Sequence, residues 1–183
     1  MSIATDGRRV TVATAEADEV PAAVEPLFRE YGEWIAAHLA EDAGITYTEA
    51  DLERHHDAFR GELPRLLGPR GRLVVARLDG TPVGVGALKP VDDTIAEIKR
   101  IYVRPEARGA GVGRAILARL VEDARAERYR TVRLESLRFM TAALAMYRSF
   151  GFVETPPFDG SEVAGTGLES LTIFMELDLE VDL

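Results

Sequence analysis

Gly109, Gly111 and Gly113 lie between a β-rich run and an amphipathic run, and they restrict what this chain can fold into more than any other segment does. The run before them, residues 98–103, reads Ile-Lys-Arg-Ile-Tyr-Val and has the make-up of a strand. The run after them, about 112–126, carries Ile116, Leu117, Leu120, Val121 and Ala124 at helical spacing. Strand, glycine loop and helix in that order leave few backbone paths. The glycines let the chain turn tightly and approach a ligand without Cβ contacts. A helix starting there aims free N–H groups and the positive end of its dipole into the loop, which suits an anion and above all a phosphate. A plain chain-reversing turn uses the same glycines, so the surrounding sequence has to decide.

Around this unit the chain alternates between two periodicities. Residues 10–14 read as a first strand. Residues 20–39 carry Val24, Leu27, Phe28, Tyr31, Ile35 and Leu39 at helical spacing, and 48–67 form a second helical stretch ended by Gly68 and Pro69. Residues 72–78 are a strand, Asp79-Gly80 is a hairpin signal, and 81–90 return as the antiparallel partner. Residues 96–103 form the strand before the loop, and Pro105 stops it. After the loop helix come a strand at 131–135, a helix at 141–150 stopped by Gly151, and a last strand at 171–177. The order β-α-α-β-β-β-α-β-α-β implies an α/β (α+β) chain with a mixed sheet flanked by helices. Its 183 residues suit one domain over 1–183, with 1–8 expected to be flexible.

Composition removes whole classes of function. There is no cysteine, which excludes disulfides, thiolate metal sites and a cysteine nucleophile. A net charge of −9 lacks the basic footprint of a nucleic-acid binder. No apolar run approaches the ~20 residues of a membrane span, and the N-terminus has no signal pattern. The chain is therefore expected to be soluble and cytoplasmic, without nucleic-acid or membrane partners. His38, His55 and His56 have no His-Glu-x-x-His spacing, so no metal is expected and they read as solvated helix residues. Lys89 and Lys99 are the only lysines among 22 basic residues, but this arginine bias is chain-wide.

Three phosphate-binding loops compete for residues 108–114. A P-loop ends in Gly-Lys-Ser/Thr, and none occurs. A dinucleotide fingerprint gains appeal from Glu135 at the end of the next strand. Yet Arg114 stands where its third glycine belongs, and residues 104–107 separate the strand from the loop. The third ligand is coenzyme A. Arg108, Gly111 and Gly113 match an Arg/Gln-x-x-Gly-x-Gly/Ala loop, preceded by Glu97, an apolar strand ending in Val103, and Pro105. Downstream, residues 146–152 (Met-Tyr-Arg-Ser-Phe-Gly-Phe) match a Leu-Tyr-x-x-x-Gly-Phe block. With these three blocks correctly spaced, residues 83–153 resemble the GNAT (Gcn5-related) N-acetyltransferase superfamily.

That resemblance implies a GNAT-like, mostly antiparallel sheet and acetyl-CoA as co-substrate. It implies that backbone amides of Arg108, Gly109, Ala110, Gly111, Val112, Gly113 and Arg114 cradle the pyrophosphate. Backbone groups of Ile101, Tyr102 and Val103 would pair with the pantetheine arm, with an oxyanion donor near Val103. Where the family often has Asn, this chain has Thr141, which retains a hydroxyl for the cofactor. Residues 15–70 would shape the acceptor side. A homodimer is an expectation from the family, with no interface legible in the chain.

Acetyl transfer to an amine needs a proton for the departing thiolate and a group to take the proton of the attacking ammonium. Tyr147, fixed by the motif and protonated at neutral pH, is the candidate acid. Glu97 is the candidate base, on the same face as Lys99, Ile101 and Val103 if the strand is regular; Glu135 is a second carboxylate. Tyr31 and Trp34 either line the acceptor pocket or pack the first helix on the sheet. The loop at 155–170, with Pro156, Pro157 and Phe158, either folds over the acceptor or is a plain connection. The expected function is transfer of acetyl from acetyl-CoA to a primary amine of a small molecule or protein, by direct attack in a ternary complex. The rivals are a non-catalytic acyl-CoA-binding regulatory module, which would keep the loop and lose the acid, and a nucleotide-binding regulator. The overall negative charge leans toward cationic acceptors such as polyamines, aminoglycosides or lysine side chains.

Overall fold

The computed structural model describes residues 2–5 and 8–179. Its strands are β1 (Ser2–Thr5), β2 (Arg8–Thr14), β3 (Arg72–Leu78), β4 (Thr81–Pro90), β5 (Ile95–Val103), β6 (Thr131–Leu137), β7 (Val153–Thr155) and β8 (Thr172–Asp178). They join in one sheet in the order β1-β2-β3-β4-β5-β6-β8-β7. Every neighbouring pair is antiparallel except β5 and β6. The helices are α1 (Glu25–Ala43), α2 (Glu49–Leu66), α3 (Val112–Ala126) and α4 (Thr141–Ser149).

The expected order holds with two additions. β1, within the stretch expected to be flexible, pairs with β2 from Ser2↔Thr11 to Thr5↔Arg8. β7 pairs with β8 beyond the last helix. Helix α1 starts later than its apolar pattern, because a single π-helical turn at Val20–Val24, with Pro21 in it, comes first. Thr48 and Asp51 close a reciprocal capping box on α2, which fixes where that helix begins.

Helices cover both faces of the sheet, so its central strands carry apolar residues on both sides along most of their length. In β3, Leu73 and Val75 join Leu27, Phe28 and Phe59 of α1 and α2 in one core. Val74 and Ala76 join Ile116, Leu117 and Leu120 of α3 in the other. Gly86 of β4 sets the depth of α3. A Cβ there would stand 2.6 Å from Ile116 Cγ2, so glycine lets the helix lie closer to the strand than any side chain would permit.

β5 is irregular twice, and both irregularities shape the site. Its register with β4 runs from Val85↔Tyr102 to Ala87↔Lys99, which sets two residues of β5 against one of β4. The extra residue is a bulge at Arg100, whose φ is 55°. A left-handed arginine costs on the order of 1–2 kcal/mol, so the surroundings must enforce it. The bulge inverts the alternation. Glu97, Lys99 and Arg100 face α1 and α2, whereas Ile101 and Val103 pack on the α3 side. The regular-strand expectation, with Glu97, Ile101 and Val103 on one face, is therefore wrong. Second, β5 pairs with β6 only from Ile95↔Thr131 to Glu97↔Arg133. Beyond that the two parallel strands separate and leave a wedge.

Candidate functional site

One side of the wedge is made of backbone. The Arg104 N–H donates to Val83 O at 2.9 Å, and Tyr102 stands opposite Val85. Strand alternation then turns the N–H and C=O of Ile101 and Val103 toward the wedge, while the Tyr102 backbone is committed to β4. Of the three β5 residues expected to meet a ligand arm, Ile101 and Val103 turn their backbone to the wedge, although the Val103 carbonyl already accepts from Arg108 Nε. The Tyr102 ring packs 5.7 Å from that of Tyr31 on the α1 side.

The glycine loop closes the end of this edge. Gly109 and Gly111 have φ of 81° and 76°, and Gly111 is the N-cap of α3 with no side chain capping the helix. The N–H groups of Val112, Gly113 and Arg114 thus have no intrahelical acceptor. A Cβ on Gly113 would stand 3.7 Å from both Met146 Sδ and Val103 Cγ2, so loop, strand edge and α4 converge there. Ala110 packs against the α3-side core. The two arginines of the motif turn aside. Arg108 Nε donates to Val103 O at 3.0 Å with its guanidinium 5.0 Å over the Trp34 ring, and Arg114 donates to Ser149 Oγ at 3.0 Å. Thr141 is exposed at the start of α4. A strand edge with free amides leading to an uncapped helix N-terminus fits an extended amide-bearing ligand that ends in phosphate.

Tyr147, on α4, is buried against Phe152 with ring centroids 6.0 Å apart. Burial pushes its phenol above the ordinary tyrosine range, and the Tyr31 phenol raises it further. Tyr31 itself is pushed up to about 12 by burial, against the pull of Arg100.

The other side of the wedge is made of side chains. A cavity of about 280 Å³ lies beneath α1 and α2, with Tyr31, Ile35, Leu52, Leu137 and Leu168 among its apolar walls. Its floor is charged. Glu97, 3% exposed, places Oε1 3.2 Å from Lys99 Nζ and Oε2 3.2 Å from Arg133 Nε. Glu62 of α2 binds Lys89 at 2.8 Å and Arg100 at 2.5 Å, and together with Lys99 these cations overcome burial to bring its carboxyl down to about 2. Glu162, from the segment between β7 and β8, touches Lys99 and Arg100. Burial would raise its carboxyl, but those two cations hold it below the usual range. Glu135, half-buried in the same wall, is displaced upward by burial, with Glu97 adding to the effect.

Several sequence readings resolve here. The 155–170 segment does cover the cavity, through Glu162, Val163, Thr166 and Leu168. It is pinned by Arg133, which lies 4.0 Å over the Phe158 ring and donates to Asp159 O at 3.2 Å. Tyr31 lines the cavity, whereas Trp34 packs beside His38 and Phe139. The histidines are not solvated. His38 stacks on Phe139, His56 is buried, and His55 lines the cavity; burial, with Arg100 adding, lowers its pKa below 6.5. Sequence reasoning missed Glu62, Lys99, Arg100 and Glu162 as site residues. Two adjacent cations inside a strand buried on both faces were the available signal, since regular alternation would drive one of them into an apolar core. Among the described residues no cluster of His, Asp or Glu is arranged to hold a metal, and no helix is long and apolar enough to cross a membrane.

A family model described as the acetyltransferase (GNAT) family matches residues 35–152, more than half of the chain. An IAA acetyltransferase from Azospirillum brasilense is 36% identical over 119 residues, which cover 64% of this chain and 74% of that protein. The solved GCN5-related N-acetyltransferase from Kribbella flavida is 26% identical, with a TM-score of 0.67 over 93% of this chain and 98% of that one. The paia N-acetyltransferase from Thermoplasma acidophilum, solved in complex with coenzyme A, shares the fold at 18% identity, with a TM-score of 0.68 over 93% and 99% of the two chains.

Proposed function

The chain belongs to the GNAT acetyltransferase family, and from that premise we propose that it moves acetyl from acetyl-CoA to a primary amine of a small molecule or protein, by direct attack within a ternary complex. One observation carries this reading: a backbone wedge suited to an extended phosphate-bearing thioester opens, beside a buried tyrosine, onto a cavity lined with carboxylates. The absence of cysteine agrees with direct transfer, because no thiol is available to carry the acetyl group.

In this mechanism the N–H groups of Val112, Gly113 and Arg114 hold the pyrophosphate, and Ile101 and Val103 pair with the pantetheine arm. The Val103 N–H donates to the thioester oxygen as charge builds there. The amine nitrogen bonds to the acetyl carbon while the carbon–sulfur bond breaks. Tyr147, held protonated by burial, gives its proton to the departing sulfur. For the base, the geometry favours Glu135 over Glu97. Both Glu97 oxygens are already engaged by Lys99 and Arg133, so Glu97 acts as a positioning residue. Glu135 has an upward-displaced carboxyl and faces the same cavity, which brings it closer to the basicity that proton transfer needs.

Tyr147→Phe tests the reading. Turnover against a panel of amines should collapse while acetyl-CoA still binds. Full activity in this variant would remove Tyr147 as the acid, and binding of acetyl-CoA by the wild type with no acetylation of any amine would identify a binding module instead.

A further inference from the structure

Two cations on the floor of the acceptor cavity, Lys99 and Arg100, share a carboxylate that no helix or strand supplies. Lys99 and Arg100 stand side by side there because the bulge turns both to one face, and their side chains are 4% and 5% exposed. Helix α2 supplies Glu62, shared among Lys89, Lys99 and Arg100. Strand β5 supplies Glu97, split between Lys99 and Arg133. The third contact is of a different kind. Glu162 sits on a surface connection, its side chain is 44% exposed, and one oxygen, Oε1, serves both Lys99 and, at 3.3 Å, Arg100. Remove that oxygen, and Lys99 keeps Glu62 and Glu97 while Arg100 keeps Glu62 alone.

A second observation points the same way. Arg100 retains a buried Nε–H without an acceptor, and His55 on the cavity wall retains a buried Nε2 without a partner. Buried polar groups left unpaired cost stability unless a ligand satisfies them. An arginine Nε can only donate, so the demand is for an oxygen acceptor.

We propose, on the basis of the acetyltransferase reading above, that the acceptor carries a carboxylate as well as its amine, and that this carboxylate takes the place of Glu162 between Lys99 and Arg100. The substrate class is then a small α-amino acid with an apolar side chain. The apolar walls accept the side chain, and about 280 Å³ limits its size. Glu135 adjoins the exchanged position, since its Oε1 accepts the Glu162 N–H at 3.2 Å. An α-amine next to the bound carboxylate therefore falls near the base. The chain-wide charge of −9 favours cationic acceptors, but exposed charges beyond a Debye length are screened, whereas a buried pair in contact is not. The local floor reverses the global preference.

Binding without turnover tests this. Calorimetry on the full chain would compare L-phenylalanine, L-leucine and L-methionine, each against its own carboxamide. The acid should bind at least tenfold tighter than the amide in one or more pairs. Glu162→Ala should widen that acid-to-amide ratio about tenfold by removing the internal competitor, and Arg100→Gln should narrow it about tenfold. Glu162 lies on an exposed connection, so its variant remains informative if Arg100→Gln does not fold. Hydrogen exchange gives an independent readout, because the preferred acid, and not its amide, should speed exchange across 156–171. Amides binding as well as acids in all three pairs, or an unchanged ratio in Glu162→Ala, would overturn the proposal. The two readings fail separately. Binding of an acid with no acetyl transfer would refute the enzyme reading alone, and efficient acetylation of amides with no preference for acids would refute the carboxylate site alone.

Discussion

The two sides of the wedge are built from different materials. The donor side is backbone: left-handed glycines, an uncapped helix start and the free edge of β5. The acceptor side is a knot of charged side chains drawn from α2, β5, β6 and the β7–β8 connection. A backbone site depends on where glycine and proline permit the chain to go, so it recurs with fixed spacing. A side-chain site depends on which residues happen to meet, so it can be rebuilt one substitution at a time. The donor half is suited to one ligand and the acceptor half to a changeable one.

The most severe test of this contrast falls on Tyr147, the proposed acid and the donor-side group assigned a side-chain role. Tyr147→Phe should lower kcat by roughly 10²–10⁴-fold and leave the Kd of acetyl-CoA nearly unchanged in a calorimetric titration. If acetyl-CoA binding fell equally, the donor side would rest on side chains as well, and the contrast would break.

Next comes the proposed proton acceptor. Glu135 has a carboxyl raised above its ordinary value, so kcat/KM should fall as pH drops through that raised value, where the carboxylate is lost. Glu135→Gln should cost about 10²-fold and abolish this acid limb. Glu97→Gln should retain the limb. The opposite pattern, with the limb lost in Glu97→Gln, would return the base to Glu97.

A smaller effect is expected from Gly111→Val. A β-branched residue at a φ of 76° costs on the order of 1–2 kcal/mol. Acetyl-CoA binding should weaken about tenfold, while the acid-to-amide ratio on the acceptor side stays the same. A matching change in that ratio would mean that the halves are coupled.

Much of the donor half was legible in the chain. Gly109, Gly111, Pro105 and the spacing to Tyr147 are local signals, and so were α3 and the Asp79-Gly80 hairpin, where both residues are left-handed. The helical stretch from residue 48 likewise matches α2, whose start Thr48 and Asp51 cap in the structure. The acceptor half was not legible, for a physical reason. Glu62, Lys99 and Glu162 are far apart in sequence, and their meeting depends on the bulge at Arg100, which no turn residue announces. His55 and His56 read as solvated because the period of a helix shows which residues share a face and not which face another helix covers.

The mildest prediction concerns stability. In the folded chain Glu62 titrates at about 2, against 4.5 when unpaired. Its contribution is therefore fully present above about pH 4.5 and is lost as pH falls toward 2. Glu62→Gln should lower the Tm near neutrality, because the linked stability of that carboxylate is lost with it. Its Tm should also fall less steeply than that of the wild type across that acid window. Equal slopes would mean that the knot adds nothing to the acceptor side beyond specificity.

The extra residue at Arg100 is also the one place where β5 can change length without turning over. On either side of it the alternation is regular, with Glu97, Lys99 and Tyr102 toward α1 and α2 and Ile98, Ile101 and Val103 toward α3. Deleting Arg100 would flatten the bulge and leave both walls as they are, at the cost of one cation. A single insertion or deletion elsewhere in the strand would turn the residues beyond it to the wrong face. A lineage can therefore gain or lose a charge at position 100 and keep the donor edge intact.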